Sequence, residues 1–167
     1  EESQKEEEKE EVREILEEKK QDDDLLISIL LGANKDEKIK DEIIYNRLDL
    51  YKYESEKRKF YEMLNGTGIF ASSADAIIVH GADSKVININ SPINNEELYH
   101  FINQEFGIDK MVYGVKDSDV KKLVEEYKQA VAEKREVKIA IEKYETKREE
   151  TTEEKLKNLF GKVRVEE

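Results

Sequence analysis

Apolar side chains crowd into one stretch of this 167-residue chain, and that stretch decides where a core can form. Residues 25–145 hold 54 apolar residues in 121, about 45%, the proportion of an ordinary globular domain. Residues 1–24 hold three (Val12, Ile15, Leu16), and residues 146–167 hold five. A segment with so little to bury cannot offset the entropy of ordering itself. The chain therefore divides into an acidic linker (1–24), a folded domain (25–145) and a flexible tail (146–167). It opens on Glu with no apolar signal-peptide region, which reads as a piece of a longer protein.

Charge is as uneven as hydropathy. The net charge is −12, and residues 1–24 alone carry −8, from thirteen acids and five bases. A pI near 4.9 argues against broad phosphate-backbone binding, which needs basic surface to displace counterions. Cysteine is absent, which excludes disulfides, thiolate metal sites and cysteine nucleophiles, and suits a reducing compartment. No apolar run reaches the roughly 18 residues of a membrane span, so no membrane contact is expected.

Within 25–145 the pattern reads as three helices followed by β-β-α-α-β-α, an α+β fold. Leu25 to Leu31 follows three aspartates that suit a helix start, and a helix is expected to about Asn34, with a buried strand as the alternative. A second helix is expected over Asp36–Tyr53, with Ile39, Ile43, Ile44 and Leu48 on one face. A third opens at Ser55, buries Phe60, Met63 and Leu64, and stops at Asn65-Gly66. Ile69–Ala71 and Ala76–Val79 flank a polar turn, the outline of a hairpin. Helix follows from Ala82 to Ile89 and is broken by Ser91-Pro92. Asn94 or Asn95 is expected to cap the next helix, which turns Leu98, Phe101, Ile102 and Phe106 inward and ends at Gly107. Lys110–Val115 reads as the third strand. A last helix starts at Asp117 or Ser118, and its apolar residues run on through Val137, Ile141 and Tyr144. Unbroken, it would span about 40 Å and project beyond the domain. The helices are expected on one face of the sheet.

Chemistry is sparse. No glycine spacing makes a phosphate cradle, and the two histidines, His80 and His100, lie far apart in unrelated contexts. Both read as surface or boundary residues, and neither a metal nor a cofactor is expected. Acids are too frequent for any pair to stand out as a general acid and base, so the domain reads as non-catalytic. Tyrosines such as Tyr45, Tyr53, Tyr61, Tyr99 and Tyr127 read as packing residues with their hydroxyls in water. The tail is different. Beyond a polar stretch, LKNLFGKVRVEE carries Leu156, Leu159, Phe160, Val163 and Val165, too few to fold alone and too apolar to leave in solvent. Such a segment either docks on a partner or folds back on its own domain.

Four stretches carry a family resemblance. RKFYEMLNGTGIFASSADAIIVHG resembles the helix-then-hairpin entry to the C-terminal region of the gamma/tau subunit of the bacterial DNA polymerase III clamp loader. FINQEFGIDKMVYGVKDSDVKKLVEEYKQ is similar to that family's helix, glycine turn, strand and long charged helix. LKNLFGKVRVEE is similar to its chain end, and LLISILLGANKDEKIKDEI to the helical start of the mollicute members. The resemblance implies a truncated type II KH-like fold and a cytoplasmic, replisome-bound connector without catalysis. It would tether the clamp loader to the catalytic polymerase subunit, the replicative helicase or both, with Leu156, Leu159, Phe160, Val163 and Val165 as the partner motif.

Two rivals compete with this reading. A KH-like nucleic-acid-binding module could use Lys121, Lys122 and Lys128 as a basic stripe, and salt-sensitive binding to single strands would reveal it. A small-molecule or catalytic domain would need a deep polar pocket of converging titratable groups. No Gly-x-x-Gly clamp occurs in the sequence, and the charge balance argues against nucleic acid as a partner.

Overall fold

Ala76-Ile77-Ile78-Val79 is apolar at successive positions, and a strand apolar on both faces has to be covered on both. In the computed structural model, which describes residues 23–145, that strand lies at the centre. It is β2 (Ala76–Gly81), flanked by β1 (Gly68–Ser72) and β3 (Met111–Lys116). β1 runs antiparallel to β2 through the turn at 73–75, and β3 runs parallel to it. Ile78 sits opposite Ala71 on one side and Tyr113 on the other.

A parallel neighbour demands a crossover. It consists of α5 (Asp83–Asn90) and α6 (Pro92–Phe106), which follow α1 (residues 23–32), α2 (Lys35–Asp41), α3 (Ile43–Arg47), a 3₁₀ turn (Leu48–Tyr51) and α4 (Arg58–Leu64). The chain then enters α7 (Asp117–Ala132) directly from β3. The α+β class and the β-β-α-α-β-α order are as the sequence reads.

The helices do not share one face, as the pattern suggested. Ile77 and Val79 point into a core with Leu48, Leu64, Leu98 and Ile102, under α3 to α6. Ala76 and Ile78 point into a second core with Ile27, Ile29 and Leu123, under α1 and α7. A bulge at Phe70 serves this division. Ile69 pairs with Val79 and Ala71 with Ile78, so the strand changes face between them. Ile69 joins the first core, and Ala71 with Phe70 joins the second.

Four local expectations are corrected. The single helix over Asp36–Tyr53 is broken into α2, α3 and the 3₁₀ turn. Asp41 takes an inward position, 1% exposed, while Ile39 points to solvent at 57%. Asn94 and Asn95 do not cap α6. That helix begins at Pro92, whose fixed φ and missing N–H suit the first turn, and Asn95 is buried. The last helix stops at Ala132, well short of Tyr144. Lys134 takes a left-handed conformation (φ 53°), Arg135 N–H donates to Ala130 O (3.0 Å) and Lys134 N–H to Val131 O (3.2 Å), a Schellman cap built without glycine. Residues 135–145 then return as an irregular strap, placing Val137 and Ile141 against the second core. Asp23 and Asp24, assigned to the linker, already belong to α1.

Candidate interaction site

β3 is an edge strand, and an edge offers unpaired N–H and C=O groups to any passing chain. Here side chains occupy them. The Asn90 amide accepts from Gly114 N–H (2.8 Å) and donates to Gly114 C=O (2.9 Å), as a neighbouring strand would. Asn95 donates to Val112 C=O (2.8 Å) and to Ile89 C=O (3.0 Å). Residue 114 has to be glycine for this closeness, since a Cβ there would lie 3.1 Å from Val86 Cγ1 and 3.4 Å from Asn90 Oδ1.

A groove follows this edge. Two cavities of about 320 and 340 Å³ share Leu26, Asn90 and Gly114. The larger is walled by Leu25, Leu26, Met111, Tyr113 and Tyr144 and is mainly apolar. The smaller, towards α7, is charged, with Asp23, Asp119 and Glu126 facing Lys116 and Lys122.

The strap closes one end of the groove. Ile139 N–H donates to Ser28 Oγ (3.0 Å), Lys143 Nζ to Asp75 (2.9 Å) and Asp109 (3.5 Å), and Tyr144 OH to Asn95 Oδ1 (3.0 Å). The Tyr144 ring also meets that of Tyr99 at 5.7 Å. The hydrogen bond to Asp75 holds the Lys143 ammonium above its usual 10.5 against the opposing pull of burial, and the Asp109 charge adds to it. Burial raises the Tyr144 hydroxyl, with the Glu96 charge adding to it. Both shifts carry the same sign. The stability they give is present below the unfolded pKa values and is lost as pH rises through the raised folded ones. The strap should therefore loosen above about pH 10.5, seen as a shift of the Ile139 and Tyr144 NMR signals. At neutral pH, Lys143→Met should speed tryptic cleavage after Lys138 while the core stays resistant.

The other expected positions are scattered. His80 is at the surface, its Nδ1 2.9 Å from Asp117 Oδ1. His100 is buried, against expectation, and neither ring nitrogen has a hydrogen-bond partner among the described residues. Lys121, Lys122 and Lys128 are exposed, but acids on the same helix interleave with them, and Glu126 lies 3.9 Å from Lys122. Tyr53 is 87% exposed, whereas Tyr99 is 1% exposed. The Tyr45 hydroxyl bonds Thr67 Oγ1 (2.8 Å), and burial pushes its pKa up to about 12, so it is not kept in water. Leu156, Leu159, Phe160, Val163 and Val165 lie outside the described residues, as do 1–22 and 146–155.

Asn90 and the strap were not singled out in the sequence, and Asn95 was read only as a helix cap. The available signal was a glycine inside a strand, which marks a close approach, and asparagines on both sides of Pro92. Among the described residues no cluster of three or more His, Asp or Glu is placed to hold a metal ion, and no helix is long and apolar enough to cross a membrane. Compared with protein-family models, with curated proteins and with solved structures, the chain matches none.

Proposed function

We propose that this chain is a non-catalytic tethering domain of a tau-type subunit of bacterial DNA polymerase III. It would act in the cytoplasmic replisome, linking the clamp loader to the catalytic polymerase subunit, the replicative helicase or both. Its mechanism is effective concentration: a folded anchor and a short apolar peptide keep a bound partner near the fork without new chemistry.

The observation that carries this reading is the sealed β3 edge. The KH-like order β-β-α-α-β-α is present, yet the β3 backbone groups at Val112 and Gly114 are already bonded from within by Asn90 and Asn95, with Tyr144 holding Asn95. With no Gly-x-x-Gly clamp and a net charge of −12, that arrangement favours protein contacts over a KH-like nucleic-acid-binding module. The tail supplies the contact, through Leu156, Leu159, Phe160, Val163 and Val165.

The test is capture of the catalytic polymerase subunit and of the helicase by the full chain, with Phe160→Ala as the decisive variant. Loss of a buried phenylalanine contact, worth about 1.5–3 kcal/mol, should weaken capture by about tenfold or more. Both cores are built from residues among 23–145, so the Phe160→Ala chain should keep its fold and its cooperative melt. Unchanged capture would reject the motif. Salt-sensitive binding to single-stranded DNA, with no capture of either protein, would favour the KH-like alternative instead.

A further inference from the structure

The β3 groove has apolar walls, is open to solvent and sits where the described chain ends. Tyr144, the penultimate described residue, is one of its walls. The Tyr144 contacts with Asn95 and Tyr99 fix the exit of the chain at this rim. Ten residues, 146–155, separate that exit from Leu156. Fully extended they reach about 35 Å, and β3 with its six residues is only about 20 Å long. Every part of the groove is therefore within reach, at an effective concentration of about a millimolar.

The chemistry of the two partners matches. Residues 156–165 carry five apolar side chains and three bases (Lys157, Lys162, Arg164) with no acid. The groove offers Leu25, Leu26, Met111 and Tyr113 for the apolar groups, and at its α7 end the acids Asp23, Asp119 and Glu126 outnumber Lys116 and Lys122 by one. Val163 and Val165 alternate with Lys162 and Arg164, so an extended chain presents the valines to one side and the bases to the other.

We propose that residues 156–165 of this chain lie in the β3 groove whenever no partner holds them, so that partner capture competes with an internal dock. The proposal rests on the reading of this segment as the partner motif. It adds a regulatory step to that reading: the motif is shielded until a partner outcompetes the groove.

The chain has no cysteine, so Asn158→Cys gives a single attachment point for a nitroxide label in the full 167-residue protein. With the label oxidised, the amide signals of Leu26, Tyr113 and Gly114 should lose most of their intensity. Ile39, on α2 beside the opposite edge strand β1, should keep its own. Adding Phe160→Ala, or Leu26→Glu on the half-buried groove wall, should restore the lost intensity with the fold intact. Signal loss elsewhere, or none, overturns the proposal, as does loss that vanishes on dilution, which would mean a second copy in the groove. If the groove signals are lost but no replisome protein is captured, the tethering reading fails and the internal dock stands. Capture without signal loss is the reverse.

Discussion

Replacing Lys110 by alanine should remove about 3–5 kcal/mol of folding stability, the cost of breaking a buried ion pair. Lys110 sits just before β3 and is 6% exposed. Its ammonium donates to Asp41 Oδ2 at 2.7 Å and to Glu37 Oε2 at 2.7 Å, clamping α2 to the sheet. Asp41 is 1% exposed, so removing the lysine strands a carboxylate with no water to solvate it. Against a typical total of about 5–15 kcal/mol, such a loss would leave a large unfolded fraction at 37 °C. The double variant Asp41→Leu with Lys110→Met should recover most of it, because apolar groups of similar volume fill the site without a desolvation cost. Urea melts of the two variants test this, and a small effect of Lys110→Ala would mean that Asp41 reaches water.

The same triad shapes the acid limb of stability. The hydrogen bond from Lys110, and then its charge, holds the Glu37 carboxyl below its usual 4.5. A depressed carboxylate contributes stability above its unfolded pKa and loses it as pH falls through the folded one. That part of the acid dependence should be missing from Lys110→Ala.

Ile78→Asp should be at least as damaging, at more than about 4 kcal/mol. Ile78 is fully buried in the central strand, between Ala71 and Tyr113, and its side chain belongs to the second core with Ile27, Ile29 and Leu123. The side chains around it in that core are apolar, so the carboxyl would stay unpaired or become neutral at a cost. Ile39→Asp is the control. The sequence pattern placed Ile39 inward, but its exposure of 57% predicts a change within about 0.5 kcal/mol. Equal effects at the two positions would contradict the assignment of faces.

What the sequence determined by itself is what neighbouring residues decide between them. The unbroken apolar run at 76–79 marked a strand, although the helices were expected on only one face of it. Gly66 and Gly107, at φ 84° and 68°, end α4 and α6 because glycine enters that conformation without a Cβ clash. Ser91-Pro92 divides α5 from α6 for an equally local reason, and the apolar stripe of α6 is buried where its spacing put it.

Only the tertiary structure decided the rest. The end of α7 carries no breaker. Lys134 enters the left-handed region because the returning strap packs Val137 and Ile141 against a core built from α1 and β2. Asp41 turns inward for a lysine 69 positions away, and Ile39 is displaced to solvent as a result. The groove joins α1, the α5–α6 turn, β3 and the strap, four segments whose separate sequences carry no sign of one another. Backbone preference is a free energy of adjacent residues and can be read along the chain. A buried charge pair, a bulge that moves a strand from one core to the other, and a wall shared by distant segments gain their energy only when water is excluded between parts already folded.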